Sequence, residues 1–165
     1  MEKQTIVDEN DNVIGAKVRS KIMQSDIYRV SCLWLRNSTG EVLLAQRAFN
    51  KKNDPGKWGP AVAGTVSENE TYEENIQKEI LEELGIDDIN LAAGPKKFFN
   101  GEHRFFYQVY FGVTDKDESE FKIQKEEVEG VKWFNEQKFL KEVKEKPDKY
   151  ISSVEMMIEA IYKID

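Results

Sequence analysis

The chain is poor in the residues on which several kinds of protein depend. Cys32 is its one cysteine among 165 residues, so an internal disulfide framework is excluded, and the expected compartment is the reducing cytoplasm. His103 is its one histidine; beside an expected hairpin turn, it reads as a surface residue rather than a catalytic base. No apolar run approaches the roughly 20 residues that a membrane-spanning helix needs. The opening MEKQTIVDEND is too polar and acidic for a secretory signal. Positive charge is in deficit: 24 Lys and Arg against 31 Asp and Glu leave a net charge of −7, which argues against nucleic acid as the main partner. No internal repeat or low-complexity tract is visible. The expectation is a single domain over 1–165, with 1–25 as an N-terminal hairpin extension and 135–165 as C-terminal helices.

What the chain does have is concentrated between Gly64 and Ile86. Thr71 followed by Glu74 forms a capping-box signature, so a helix starts near Thr71, and Gly85 is suited to end it. Ile76, Ile80 and Leu84 recur every four residues and mark the buried face. Glu79, Glu82 and Glu83 stand at i, i+3 and i+4 and project together, with Glu70 just ahead of the helix. A solvated acidic stripe is one reading of such a run. The other is ligation of a hard divalent cation such as Mg²⁺, which turns carboxylate repulsion into binding.

Around this helix the pattern is mostly strand. TIVDE (4–8) and VIGAKV (13–18), separated by Asn10, Asp11 and Asn12, read as a β-hairpin or as a loosely attached tail. Residues 21–26 make a link or short helix, 26–37 a strand, and 41–48 its partner. Arg29 and Arg47 lie within these strands, facing solvent or reaching substrate phosphates. Residues 49–60 are expected as a loop made basic by Lys51, Lys52 and Lys57, and 61–66 as a short strand feeding the helix. Asp87 to Pro95 reads as a connection, 96–100 and 103–114 as paired strands, 115–127 as a charged loop and 127–134 as a last strand. Helices are expected at 135–148 and 149–165, the second with Ile151, Val154, Met157, Ile158 and Ile161 on one face. Strands, an acidic helix, more strands and terminal helices suit an α/β or α+β sandwich on a mixed sheet.

The order Gly64, five residues, Glu70, seven residues, then Lys78-Glu79-Ile80-Leu81-Glu82-Glu83-Leu84-Gly85-Ile86 resembles the Nudix box, G-x5-E-x7-R-E-U-x-E-E-x-G-U with U aliphatic. Each fixed position matches but one: Lys78 stands where the family has arginine. In the family that arginine helps to hold a box glutamate, and an ammonium lacks the guanidinium's bidentate fork, which implies weaker activity or shifted metal geometry. The tract PGKWGPAVAG ahead of the box is also similar to the family's, and VDENDNVIGAKVR is similar to the lead-in of its isopentenyl-diphosphate isomerase-like branch.

The resemblance implies the Nudix α/β/α sandwich with mixed sheet, and Mg²⁺-dependent hydrolysis of a diphosphate linkage, usually in a nucleoside diphosphate-X substrate, with Mn²⁺ as a substitute. It places the metal on Glu79, Glu82 and Glu83, supported by Glu70 and Gly64, and gives Lys78 and Gly85 structural roles in the motif. The proton goes to a box glutamate or to Glu127, six residues before Trp133. Small-molecule diphosphates are the implied partners, with a homodimer as the assembly many relatives form. Isomerase activity is not expected, because the position that carries the isomerase cysteine is Ala63 and Tyr28 stands where a histidine belongs. A binding module that holds a nucleotide without hydrolysing it is the other alternative, favoured by Lys78 and opposed by the retained glutamates.

Overall fold

Alternation along one strand decides which residues reach the functional face. In the computed structural model, which describes residues 1–163, β1 (Lys3–Val7) and β2 (Val13–Val18) form the expected hairpin. It is no loose tail: β1 continues into the sheet against β3 (Ile27–Arg36), pairing Ile6 with Tyr28 and Val7 with Ile27. Asp11, at the hairpin turn, takes a φ of 62° and acts as the anchor. Arg29 Nε donates to its carboxylate at 2.7 Å and Lys96 Nζ at 2.7 Å, while the Tyr72 hydroxyl donates at 3.0 Å. Its carboxylate is nearly buried, and removing it takes away the ion pair of Arg29 and leaves only the bond from Arg29 to the Asp11 carbonyl at 2.7 Å. With Arg29 and Lys96 partly solvated, Asp11→Ala is expected to cost about 2 kcal/mol, less than for a fully buried pair. Urea unfolding checks this; a loss below about 0.5 kcal/mol contradicts the anchoring role.

One edge of β3 is taken over its whole length by the parallel β8 (Arg104–Val113), from Ile27↔Arg104 to Arg36↔Val113. The other edge is shared in series: β1 takes Ile27 and Tyr28, β6 (Val62–Thr65) takes Val30 to Leu33, and β4 (Glu41–Arg47) takes Leu35 and Arg36. β5 (Trp58–Pro60) and β9 (Val128–Asn135) extend the sheet from β4, and β7 (Ala92–Asn100) extends it from β8. Successive side chains of β3 go to opposite faces. Leu33 and Leu35 pack with Val62, Ile76, Ile80 and Leu84 under α1 (Tyr72–Leu84). Cys32 and Trp34 pack with Phe139, Tyr150 and Met157 of the segment carrying α2 (Glu136–Glu145) and α3 (Val154–Tyr162). Helices on both faces of a mixed sheet make the α/β/α sandwich. The three α1 aliphatics are each at most 4 % exposed, and burial of this kind contributes about 1.5–3 kcal/mol per side chain.

Several boundaries differ from expectation. The tract 49–60 is not all loop: its last three residues pair with Leu44 to Gln46. The run to Pro95 is not a connection, because β7 begins at Ala92; a bulge between Ala93 and Lys96 accommodates the proline, which has no N–H to give the ladder. The charged loop 115–127 holds a single 3-10 turn at Glu118–Glu120, as does the link after β2 at Arg19–Lys21. α2 stops at Glu145, ahead of Pro147. The last helix begins at Val154, not 149, and its expected final residues 164 and 165 lie outside the described ones.

Candidate active site

The helix that carries the glutamates is held at both ends. Thr71 Oγ1 accepts from the Glu74 amide at 3.1 Å and Glu74 Oε2 accepts from the Thr71 amide at 2.8 Å, completing the capping box. Gly85 is left-handed, with φ of 68°, and its N–H donates to the Leu81 carbonyl at 3.0 Å. Since Ile76, Ile80 and Leu84 fix the rotation of the helix, Glu79, Glu82 and Glu83 border one cleft, with burial graded from exposed Glu82 through half-buried Glu79 to buried Glu83. Gly64 is the cradle: a Cβ there would lie 2.4 Å from Glu79 Cγ and 2.6 Å from its Cδ. Only a bare backbone lets the Glu79 side chain lie across β6.

Glu70 is placed differently from the expected metal support. Its Oε1 meets Lys78 Nζ at 2.8 Å, and its Oε2 accepts from the Ser67 amide and from Asn75 Nδ2, each at 2.9 Å. Both oxygens are engaged, and Glu70 does not line the cleft. Burial pushes its pKa up, but Lys78, the Ser67 amide and Asn75 outweigh this and hold it below the usual carboxylate value. Lys78 therefore still grips the glutamate that the motif assigns to it, by one contact in place of a fork. It also faces Glu2 Oε1 at 3.7 Å. Asn75 is wholly buried; it bridges Glu70 to the Thr65 carbonyl at 3.1 Å and accepts from the Ser31 hydroxyl. Ser31 and Asn75 escape sequence reasoning, as small polar residues carry no positional signal.

The cleft has a volume of about 750 Å³. Arg47, Lys51 and Lys52 line the same cleft as the glutamates. Arg47 Nε donates to the Asn53 carbonyl at 3.0 Å, and Lys51 Nζ meets Glu127 Oε2 at 2.5 Å. The structure thus brings Arg47 and Glu127 to the site, and leaves Arg29 out. Arg29 alternates with Tyr28 and Val30, which line the cleft, so it projects to the other face, onto Asp11 and over the Tyr72 ring at 5.0 Å. It is neither solvent-facing nor a phosphate contact. His103 is exposed at the rim. Glu2 and Gln4 also line the cleft, a placement that distance along the chain conceals.

Burial, then Glu82, raises the Glu79 pKa to about 7. Burial, then Glu79 and Glu127, raises that of Glu83 to about 8, against the opposing Ala63 amide. Among the described residues no three acidic, cysteine or histidine side chains form a ready-made cage. Mg²⁺ does not need one, since it keeps several waters and takes one or two carboxylates together with substrate phosphates. The oxygen-only donors on α1 and the cradle at Gly64 fit such an ion. The sign of the pH dependence follows from the raised values. Between the ordinary 4.5 and about 8, the folded chain holds protons that the unfolded chain has lost, so metal-free stability is greatest below this window and declines as pH rises through it. Ligation requires the deprotonated form. The rise in Tm on adding Mg²⁺ is therefore expected to grow from pH 5.5 to pH 8, and thermal scans with Mg²⁺ and with chelator check it. A rise independent of pH contradicts this set of ligands.

Comparison with known proteins points the same way. The family model for the NUDIX domain matches residues 27–154. An uncharacterized Nudix hydrolase of Pseudomonas aeruginosa is 29% identical over 143 residues, 86% of this chain and 83% of the relative. A prenyl-diphosphate phosphatase of Methanosarcina mazei is 28% identical over 164 residues, 95% of this chain and 93% of that one. The crystal structure of a Deinococcus radiodurans protein superposes with a TM-score of 0.85 at 23% identity, covering 98% of this chain and 99% of that one, a likeness of fold.

Proposed function

The chain belongs to the NUDIX domain family and is a Nudix diphosphate hydrolase; from that premise we propose that it cleaves a diphosphate linkage by metal-activated water. The observation that carries the reading is a single cleft lined by Glu79, Glu82 and Glu83 together with Arg47, Lys51 and Lys52. Glu79, Glu82 and Glu83 would hold Mg²⁺, with Mn²⁺ as a substitute. The ion supplies charge neutralisation at the phosphates and an acidified water. Arg47, Lys51 and Lys52 orient the phosphate oxygens and offset a net charge of −7 that otherwise repels them. Glu127 takes the proton from the attacking water; its pairing with Lys51 keeps it on the cleft wall. Lys78 and Glu70 act from behind, fixing the segment between Ser67 and α1.

Nucleoside diphosphate-X compounds are the substrate class that the family resemblance implies, and the similarity to a prenyl-diphosphate phosphatase puts organic diphosphates beside them. An isomerase reading fails on the residues. Ala63 carries no thiol, and Cys32, which pairs with it across the ladder, is 2 % exposed with its pKa pushed up by burial to about 12. A non-catalytic binding role gives no reason to assemble three glutamates and three cations in one cleft. The test is product release from a panel of nucleoside and organic diphosphates with Mg²⁺, with Mn²⁺ and with chelator. Hydrolysis that chelator abolishes is the expected result; silence across the panel from folded protein defeats the reading.

A further inference from the structure

The charged half of the cleft accounts for a diphosphate and its cation and leaves the other half unexplained. Tyr28, Val30 and Cys32 project from β3 on the cleft side, and the register sets Phe105 beside Tyr28 and Tyr107 beside Val30. Phe99 of β7 lies across from Phe105, and Ile151 and Met157 close the wall from the C-terminal segment. Charge borders this set at its rim, with exposed Arg19 beside Tyr28 and exposed Glu102. The set adjoins the charged half directly: Cys32 pairs with Ala63, next to Gly64, one strand spacing or about 4.8 Å away.

A nucleobase asks for two things: a free aromatic face to stack on, and a paired donor and acceptor for its edge. The rings here are spent on one another. Phe99 and Phe105 stack at 4.9 Å and 27°, and Phe105 and Tyr28 at 5.5 Å and 29°. Gly101 lies close against the Phe99 ring, where a Cβ would be 2.7 Å from Cε1. The polar side chains on the wall include Tyr28 and Tyr107, the latter's hydroxyl buried without a hydrogen-bond partner among the described residues, and Ser152 and Ser153 beside Ile151; hydroxyls alone do not make the coplanar donor and acceptor pair of an amide. Glu102 and His103 are exposed, at the rim. Between these hydroxyls the wall offers hydrocarbon and ring edge.

We infer that the group on the diphosphate is a short hydrocarbon chain, an alkyl or prenyl group of about five to ten carbons, as a cleft of this size admits, seated on the partly exposed Tyr28, Val30, Phe105 and Ile151. This rests on the diphosphate-hydrolase reading above. The experiment compares kcat/KM for isopentenyl and geranyl diphosphates with that for CDP and ADP-ribose, all with Mg²⁺. The prenyl compounds are expected to lead by at least about tenfold, because each buried CH₂ is worth about fourfold in affinity. KM is expected to fall by about tenfold or more from the five-carbon to the ten-carbon compound for the same reason. Val30→Asp and Ile151→Ser, checked by thermal scans to be folded, are each expected to raise KM for geranyl diphosphate about tenfold with a much smaller change in kcat. Preference for the nucleotides, or a KM indifferent to chain length, overturns the inference and leaves the hydrolase reading standing. If no diphosphate is hydrolysed, the hydrolase reading fails instead. Calorimetric binding of the non-hydrolysable thiolo analogue of geranyl diphosphate against that of a methylene-bridged nucleoside diphosphate then decides the wall's ligand, and tighter binding of the nucleotide overturns the inference.

Discussion

Glu82 and Glu83 replaced together by glutamine are expected to lower metal-dependent hydrolysis by at least about a thousandfold. A bound cation supplies several kcal/mol of charge stabilisation, and each 1.36 kcal/mol is tenfold in rate. Glutamine keeps the volume and removes the charge that ligates. The fold is expected to survive and even to gain slightly in chelator, since burial already disfavours the charged form of Glu83 and Glu79 adds like-charge repulsion. The informative comparison is therefore paired: turnover collapses, the metal-free Tm holds or rises, and the rise in Tm on adding Mg²⁺ disappears. Turnover at the parental level sinks the assignment of the site.

Gly64→Ala is the second substitution with a large expected effect, and it touches no charged group. Its new methyl would lie within 2.8 Å of Glu79 Cγ, Cδ and Oε1. β6 is held to β3 from Val30↔Thr65 to Leu33↔Val62, so the side chain must yield rather than the strand. Glu79 has the rotamer freedom to leave, which keeps the cost in stability near about 1 kcal/mol, or roughly 2–4 °C in Tm at this size. The carboxylate does not keep its place, however, and activity is expected to fall about a hundredfold with weaker Mg²⁺ affinity, the scale found when metal-site geometry is disturbed. A variant with parental kcat and Mg²⁺ affinity shows that Glu79 works equally well from another rotamer, and removes Gly64 from the site.

The parts of this site that were legible in the sequence are those whose causes are local. Thr71 and Glu74 cap each other three residues apart, and Ile76, Ile80 and Leu84 set the helix rotation through their own spacing, so the position of Glu79, Glu82 and Glu83 on one cleft follows without knowledge of the fold. Arg29 and Arg47 show where this ends. Each is a charged residue in a strand, and which face it takes depends on register with β8 and β9, which is set by residues far along the chain. The flanking residues do not decide it, because Tyr28, Val30 and Cys32 on one side and Ser31 and Leu33 on the other are equally mixed. Glu70 was misplaced for a related reason: its partners Ser67 and Asn75 compete with any cation for its oxygens, and their hydrogen bonds depend on how the chain turns into α1. The start of β7 was missed because Pro95 reads as a break, and a bulge on an edge strand tolerates it.

The N-terminal hairpin lies outside the span 27–154 that the family shares. Yet Thr5 donates through its amide to the Val66 carbonyl and through its hydroxyl to the Ser67 carbonyl, the Glu68 amide donates to the Lys3 carbonyl at 2.8 Å, and Ser67 Oγ donates to Glu2 at 2.5 Å. The shared span is accordingly not a portable unit in this protein. A shortened chain beginning at residue 27 lacks one wall of its own cleft and presents Ile27, Tyr28 and the 66–68 segment as an unpaired backbone edge, the kind of surface that recruits a strand from a neighbouring molecule. Engineering by domain boundaries, whether for fusion, display or crystallisation, thus has to keep Glu2 and the strand after it, and a product free of edge-strand aggregation is expected only from chains that keep the hairpin.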